Sequence, residues 1–383
     1  MSIYLDNAAT SFPKPEQVYA AVLHTMQGIG ASPGRGGYGA ALAASRLLFE
    51  ARAVLASFFN LPDSGRLLFT HSTTESLNLA LRGILQPGDH VVTSSMEHNS
   101  LLRPLFMLEK TGVELTVVQA GADGLLRAEE VARAITPATR LVAVSHVSNV
   151  TGGIQPVAEL AAATHAAGAL LLLDAAQSAG CMQLDMQALG VDLLAAPGHK
   201  GLLGPQGTGI LAVMPGIALR PLLAGGTGSS SDQDLQPSGF PEGFESGTHN
   251  LPGIAGLKAG VEFLNQIGLQ AVSEHEGDCG RYLRERLAGL AGCRLYGPAD
   301  PQRHAGLLSL TVEGRDASEL AFVLDREYGI AVRAGLHCAP RAHRTIGTHP
   351  GGTLRISPGW FTSRTELDSC IEALTTIIRK GHS

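Results

Sequence analysis

Charged residues make up only 16% of the 383-residue chain, aromatic residues 5%, and tryptophan occurs once. A typical soluble domain carries about 25% charge. Lysine is especially scarce, confined to Lys14, Lys110, Lys200, Lys258 and Lys380. With 28 basic against 34 acidic side chains the net charge is −6, and no basic run occurs. That balance argues against nucleic-acid or membrane-surface binding. Cysteine is sparse and odd in number: Cys181, Cys279, Cys293, Cys338 and Cys370 are scattered, with no CxxC pair. The pattern reads as a reducing compartment rather than a disulfide framework. None of the 14 histidines falls in an HExxH or Cys/His cluster, so no metal site is expected. The opening residues, MSIYLDNAAT, lack the basic and apolar regions of a signal peptide. The apolar runs fall far short of the roughly 20 residues that span a membrane. A soluble, cytoplasmic protein is expected.

What the chain has is apolar residue (44%) and glycine, 47 in all. That excludes a disordered chain, and no G-X-Y period supports a collagen-like one. The length suggests two or three domains at about 150 residues each. Short apolar runs alternate with amphipathic stretches as far as about Gly260. Leu67 to Thr70, His90 to Thr93, Glu114 to Val118, Leu141 to Ser145, Ala169 to Asp174, Asp192 to Ala195 and Gly209 to Val213 read as strands. Glu75 to Leu85, Glu129 to Ala134 and Val157 to Ala167 read as helices. Alternating βα units predict an α/β fold with a mostly parallel central sheet. After the glycine- and serine-rich stretch Gly225 to Gly247 comes a long helix, Ile254 to Ile267, and a smaller α+β unit follows. The expected division is a large domain, 16–255, and a small domain formed by 1–15 and 256–383.

Lys200 stands apart from the other lysines. It lies in Gly198-His199-Lys200-Gly201, just past a strand, where flanking glycines let backbone approach a bulky ligand. Alone it reads as a surface lysine in a turn; its upstream company changes that. Asp174 ends the four-leucine strand, with Gln177 three residues on. A carboxylate there sits where open α/β sheets bind ligands, and burial obliges it to find a cationic partner. A Schiff-base lysine with an aspartate for the pyridinium nitrogen is the signature of pyridoxal phosphate. In isolation Asp174 also reads as a helix N-cap after the strand. Ser72-Thr73-Thr74-Glu75 opens a helix after a strand and reads as a phosphate site or as a plain cap. Glu97-His98 follows a further strand, where a histidine can stack on a ring and move protons. Gly34 to Gly39 matches GxGxxG in letters, but no strand precedes it, so a dinucleotide site is not expected.

Taken together, Thr73-Thr74-Glu75, Glu97-His98, Asp174-Ala175-Ala176-Gln177 and Gly198-His199-Lys200 resemble class V aminotransferase-fold enzymes. Tyr4-Leu5-Asp6-Asn7-Ala8-Ala9-Thr10 and Glu245-Ser246-Gly247-Thr248 extend the match along the chain. Within that class the resemblance is to cysteine desulfurases and the selenocysteine-lyase-like branch. It rests on Arg333-Ala334-Gly335-Leu336-His337-Cys338-Ala339-Pro340 and on Arg355 in Leu354-Arg355-Ile356-Ser357. The resemblance implies a fold type I, pyridoxal 5'-phosphate-dependent transferase that works as a homodimer. It implies conversion of L-cysteine to L-alanine with a persulfide left on Cys338 for sulfur transfer to an acceptor protein, as in iron–sulfur cluster assembly. Selenocysteine lyase, C–S lyase, aminotransferase and epimerase-like activities are the alternatives.

Residue by residue, the resemblance makes Lys200 the cofactor-binding lysine and base, Asp174 the partner of the ring nitrogen, and Gln177 that of the ring hydroxyl. His98 stacks on the ring and relays protons. Thr73, Thr74 and His199 hold the phosphate, with Thr248 reaching across from a partner subunit. Asn149 and Arg355 take the substrate carboxylate, a task that suits arginine's planar fork. Cys338 attacks the substrate sulfur as thiolate, with His337 or His98 expected to favour that form. Pro197 departs from the family, which usually has a Ser or Thr hydroxyl on the phosphate there. Weaker cofactor retention is the expectation.

Overall fold

The run Leu170–Asp174 forms the middle strand of a seven-stranded sheet, its residues shielded on both faces. Continuous apolar runs are what a parallel strand covered by helices on both sides requires. In this computed structural model, which describes residues 2–34, 36–228 and 232–380, the strand order is 67–70, 209–213, 193–197, 170–174, 139–145, 90–94, 114–118. Only Gly209–Val213 runs against its neighbours; the other strand pairs are parallel. The predicted strands and the mostly parallel sheet are therefore present. The serine run 229–231 and Arg35 of the glycine motif lie outside the described residues.

Helices close both faces. Thr73–Ile84 and Asn99–Glu109 cover one, with Leu77, Leu81, Leu101 and Leu105 buried against Leu172 and Leu193. Gly39–Phe58, Val157–Ala166 and Leu251–Ile267 cover the other. The 20-residue helix Gly39–Phe58 went unpredicted, since most of its buried positions are alanines (Ala41, Ala44, Ala51, Ala56) with little apolar contrast. Ile254, Leu257, Val261 and Leu264 of the helix that spans the expected domain boundary pack in this larger core.

The second unit has its own core, built from Leu283, Leu308, Leu310, Leu354, Leu367 and Leu374 among others. Its four-stranded antiparallel sheet runs 333–335, 353–356, 308–312, 293–296. The N-terminal strand Ile3–Tyr4 joins this unit by pairing with Ile330–Ala331. The chain then crosses to the larger one: the Ser11 amide and the Thr10 and Ser11 hydroxyls donate to the His199 carbonyl. Lys14 Nζ donates to the same oxygen at 2.8 Å. The N-terminal segment thus fixes the turn that carries Lys200.

Candidate active site

The carboxyl ends of the parallel strands open onto a cleft of about 240 Å³. Strand ends and the turns after them bring Ser72, Thr73, Thr74, His98, Ser145, Asn149, Asp174, Gln177, Pro197, His199, Lys200, Arg333, His337 and Arg355 to its walls. Of the candidate side chains, Cys338 and Thr248 are not wall residues. Cys338 is exposed beside the cleft wall formed by Arg333 and His337. Thr248 lies in a separate hollow with His71, Glu75 and His249, on a segment fixed by the buried, bidentate Arg52–Glu245 pair (2.7 and 2.8 Å).

Asp174 Oδ1 accepts the Ala176 amide at 2.9 Å. Burial raises its carboxyl to about 6, against the opposing pull of that amide and the Lys200 charge. Such a group calls for a cation, and a protonated ring nitrogen supplies one. Lys200 is pushed down to about 8 by burial, partly offset by Asp174 and reinforced by Arg355 and Arg333. A lysine amine with that value is available as nucleophile and base near neutrality.

Two strands over from Asp174, Glu97 follows the end of strand 90–94. Its carboxylate accepts from the Ser94 hydroxyl and from the Ser145 amide and hydroxyl (2.8 and 2.6 Å). Burial raises it to about 7 despite those hydrogen bonds, with Asp174 adding repulsion. Neighbouring His98 caps the helix Asn99–Glu109, its Nδ1 accepting the Ser100 amide at 3.0 Å.

The donor set fits a phosphate-bearing, carboxylate-binding site. Thr73 Oγ1 and His199 Nδ1 are buried without a hydrogen-bond partner, at the end of the cleft where a helix begins at Thr73. Gly209 permits this arrangement, because a Cβ there would lie 2.7 Å from the Ser72 backbone. Arg355 is the largest fully buried side chain; its Nη2 donates to Asp6 Oδ1 at 2.9 Å and its Nη1 to the Asn149 carbonyl at 3.0 Å. Arg355 Nε is left buried with no partner, as a site for a carboxylate oxygen would be. Asn149 Nδ2, expected at the substrate, donates to the His337 carbonyl at 2.7 Å. Gln177 Nε2 donates to the Ala8 carbonyl at 3.1 Å.

The cysteine loop is strained and held. His337 and Cys338 both adopt left-handed backbone, at φ 47° and 58°. For residues other than glycine such conformations cost on the order of 1–3 kcal/mol each and persist only where the surroundings impose them. Here the Asn149 amide clasps one carbonyl and the Asn99 amide the other, at 2.8 Å. The His337 ring, 3.1 Å from the Thr353 carbonyl, packs the loop inward and leaves Cys338 pointing out.

The expectation that His337 or His98 favours the thiolate is corrected. Burial, with Arg355 and other cations nearby, drives His337 down to about 2, and burial with Lys200 and arginines drives His98 to about 4. Both rings are neutral. The cation beside the sulfur is Arg333, whose Nη2 lies 3.6 Å from Cys338 Sγ. Its place two strand residues before Gly335 was the available signal. The pairing of Asp6 with Arg355 carries no local sequence signal, because 349 residues separate the two.

Among the described residues no group of three or more His, Cys, Asp or Glu side chains is placed to hold a metal ion. No helix there is long and apolar enough to cross a membrane.

Fold and site together define an enzyme of the fold type I, pyridoxal phosphate-dependent kind. The class-V aminotransferase family matches residues 3–370, and the chain belongs to it. The chain is 37% identical to a probable cysteine desulfurase from Methanothermobacter thermautotrophicus, over 99% of this chain and 95% of that one. It is 34% identical to a cysteine desulfurase from Haloferax volcanii, over 97% and 88%. Among solved structures, the apo cysteine desulfurase of Thermococcus onnurineus superposes with a TM-score of 0.92 at 33% identity, covering 99% and 95%. Cysteine desulfurase CsdA from Escherichia coli gives 0.89 at 30%, again covering 99% and 95%. The family's cofactor is pyridoxal phosphate.

Proposed function

We propose that the chain is a cysteine desulfurase, releasing L-alanine from L-cysteine and keeping the sulfur as a persulfide on Cys338. The observation that carries this reading is an exposed cysteine on an imposed, strained loop, 3.6 Å from Arg333 and beside a cleft containing Lys200, Asp174 and Arg355.

Thr73, Thr74 and His199 would hold the phosphate of the cofactor, Asp174 its ring nitrogen and Gln177 its ring hydroxyl, with His98 beside the ring and Lys200 attached through its amine. The bound cofactor supplies an electron sink for negative charge at the substrate carbon. Arg355 turns its unpartnered Nε to the substrate carboxylate, with Asn149 alongside. Lys200 Nζ accepts the Cα proton and gives a proton back to that carbon before alanine leaves. The Cys338 thiolate forms an S–S bond to the substrate sulfur. The carbon–sulfur bond breaks, its electron pair stays on carbon, and that carbon takes up a proton to become alanine's methyl group. Arg333 lies where it stabilises the attacking thiolate.

The division into a large domain (16–255) and a small one (1–15 with 256–383) belongs to the same reading, as does a cytoplasmic setting. A homodimer is supported by the exposed apolar side chains of two neighbouring helical segments, Tyr19, Leu23 and Met26 on one, Leu42 and Phe49 on the other. Thr248, outside its own cleft, is free to complete the phosphate site of a partner.

The test is product analysis with L-cysteine and L-selenocysteine on wild type and Cys338→Ala. Alanine and a labelled persulfide from cysteine, both lost in the variant, are the expected result. Undiminished sulfur release by Cys338→Ala overturns the reading, and turnover of selenocysteine alone reassigns it to a selenocysteine lyase.

A further inference from the structure

A chain of net charge −6 presents four arginines around its exposed cysteine. Arg333 lies against Cys338 Sγ. The Asn99 amide, which holds the Cys338 carbonyl, opens the helix Asn99–Glu109, and Arg103 stands exposed one turn further on. The short helix Pro340–Thr345 leaves the cysteine loop directly, carrying Arg341 and the exposed Arg344. It is tied to the first helix by the Arg341 guanidinium, 4.9 Å from the centre of the Phe106 ring, and to the strand end by Thr345 Oγ1 donating to Ser95 Oγ at 2.9 Å.

Among the described residues, none of these four arginines has a carboxylate oxygen within 4.0 Å, whereas Arg52, Arg281, Arg315 and Arg355 each do. The acids that flank Arg103 in sequence do not neutralise it: Glu97 is buried, and Glu109 sits at the far end of its helix. Exposed Met107, one turn beyond Arg103, adds an apolar contact to the same face. Unpaired guanidiniums beside apolar surface suit a carboxylate-bearing protein partner. A patch this small, interrupted by Met107 and Phe106, does not trace a phosphate backbone.

We propose that this rim is the docking surface for an acidic protein segment bearing the thiol that takes the sulfur from Cys338. The inference rests on the desulfurase reading and names the chemistry of its acceptor. In the transfer, the acceptor thiolate forms an S–S bond to the terminal sulfur of the persulfide. The bond from that sulfur to Cys338 Sγ breaks, its electron pair returns to Cys338 as thiolate, and the proton stays with the transferred sulfur. No outside oxidant or reductant enters.

The test loads the enzyme with 35S-cysteine, removes the excess, and follows discharge to three synthetic peptides. Each has one cysteine, flanked by Asp and Glu, by Asn and Gln, or by Lys. The acidic peptide is expected to discharge the label about tenfold faster than the neutral one at low salt. That advantage is expected to vanish near about 1 M NaCl, where the Debye length is about 3 Å. It is also expected to vanish in Arg341→Glu/Arg344→Glu, while alanine formation with dithiothreitol stays unchanged. Equal rates for acidic and neutral peptides overturn the proposal, as does an acidic advantage that survives in the double variant. So does an arginine-dependent advantage shown by mercaptosuccinate, assayed alongside, and absent from the acidic peptide. The dithiothreitol arm reads the parent activity separately: no alanine there overturns the desulfurase reading, and this inference with it.

Discussion

Asp6 and Arg355, 349 residues apart in sequence, meet across 2.9 Å behind the cleft. The aspartate follows the strand Ile3–Tyr4, and its bridge to Ser357 draws the N-terminal segment alongside the strand that ends at Ile356. Its carboxylate takes one edge of the guanidinium and leaves Nε for a ligand. Asp6 is therefore a positioning residue for substrate binding. Asp6→Asn is expected to raise KM for cysteine on the order of tenfold, about 1.4 kcal/mol of binding, with kcat changed far less. A steady-state comparison in which kcat falls and KM does not would contradict the assignment.

Arg333 makes the second contact with a measurable consequence. Its guanidinium lies 3.6 Å from Cys338 Sγ, within hydrogen-bonding reach of the sulfur. Both nearby imidazoles are held neutral. Arg333→Gln is expected to slow alkylation of Cys338 by iodoacetamide at neutral pH on the order of tenfold, with partial rescue in Arg333→Lys. Alkylation at the wild-type rate in Arg333→Gln would remove Arg333 from this role.

Much of this was legible in the sequence because it depends on local chemistry. The four-leucine strand ending in Asp174, the glycine-flanked Lys200 and the hydroxyl run at Thr73 each carry their meaning within a few residues, and all three converge on one cleft. What stayed hidden depends on distance or on low contrast. The Asp6–Arg355 pair, the Lys14 contact with the His199 carbonyl and the clasp of Asn149 on His337 exist only once the N-terminal segment and the smaller unit dock. The left-handed backbone at His337 and Cys338 had no glycine to announce it. Histidine beside cysteine suggested an acid–base helper, but burial makes that ring a strut.

Pro197 ends its strand at the cleft wall, paired with Gly209, and offers no hydroxyl where the family usually has one. Thr73 Oγ1 and His199 Nδ1 remain as the buried unpartnered atoms at that end of the cleft. A hydrogen bond to a charged group contributes about 1.5–3 kcal/mol. Pro197→Thr is expected to tighten pyridoxal phosphate retention by at least about tenfold, measured as residual cofactor absorbance during exhaustive dialysis. Equal loss from both proteins would show that the missing hydroxyl is already replaced.

Glu97 provides a pH signature that is separate from turnover. Burial raises its carboxyl from 4.5 to about 7, so the native state keeps the proton across a range in which the unfolded chain has lost it. Between those values the native state binds more protons than the unfolded state, and stability from this group falls as pH rises. Several buried histidines push the other way, because burial lowers their values and the unfolded chain binds the extra protons. The total curve therefore mixes signs, and only a difference isolates Glu97. Glu97→Gln keeps the shape of the protonated acid and does not titrate. Denaturant unfolding of the cofactor-free protein at stepped pH is expected to show the wild type losing stability relative to Glu97→Gln from about pH 4.5 to about pH 7. A flat difference would place the Glu97 proton elsewhere. It would also mean that Ser94 and Ser145 hold an ionised carboxylate beside Asp174 rather than a neutral acid.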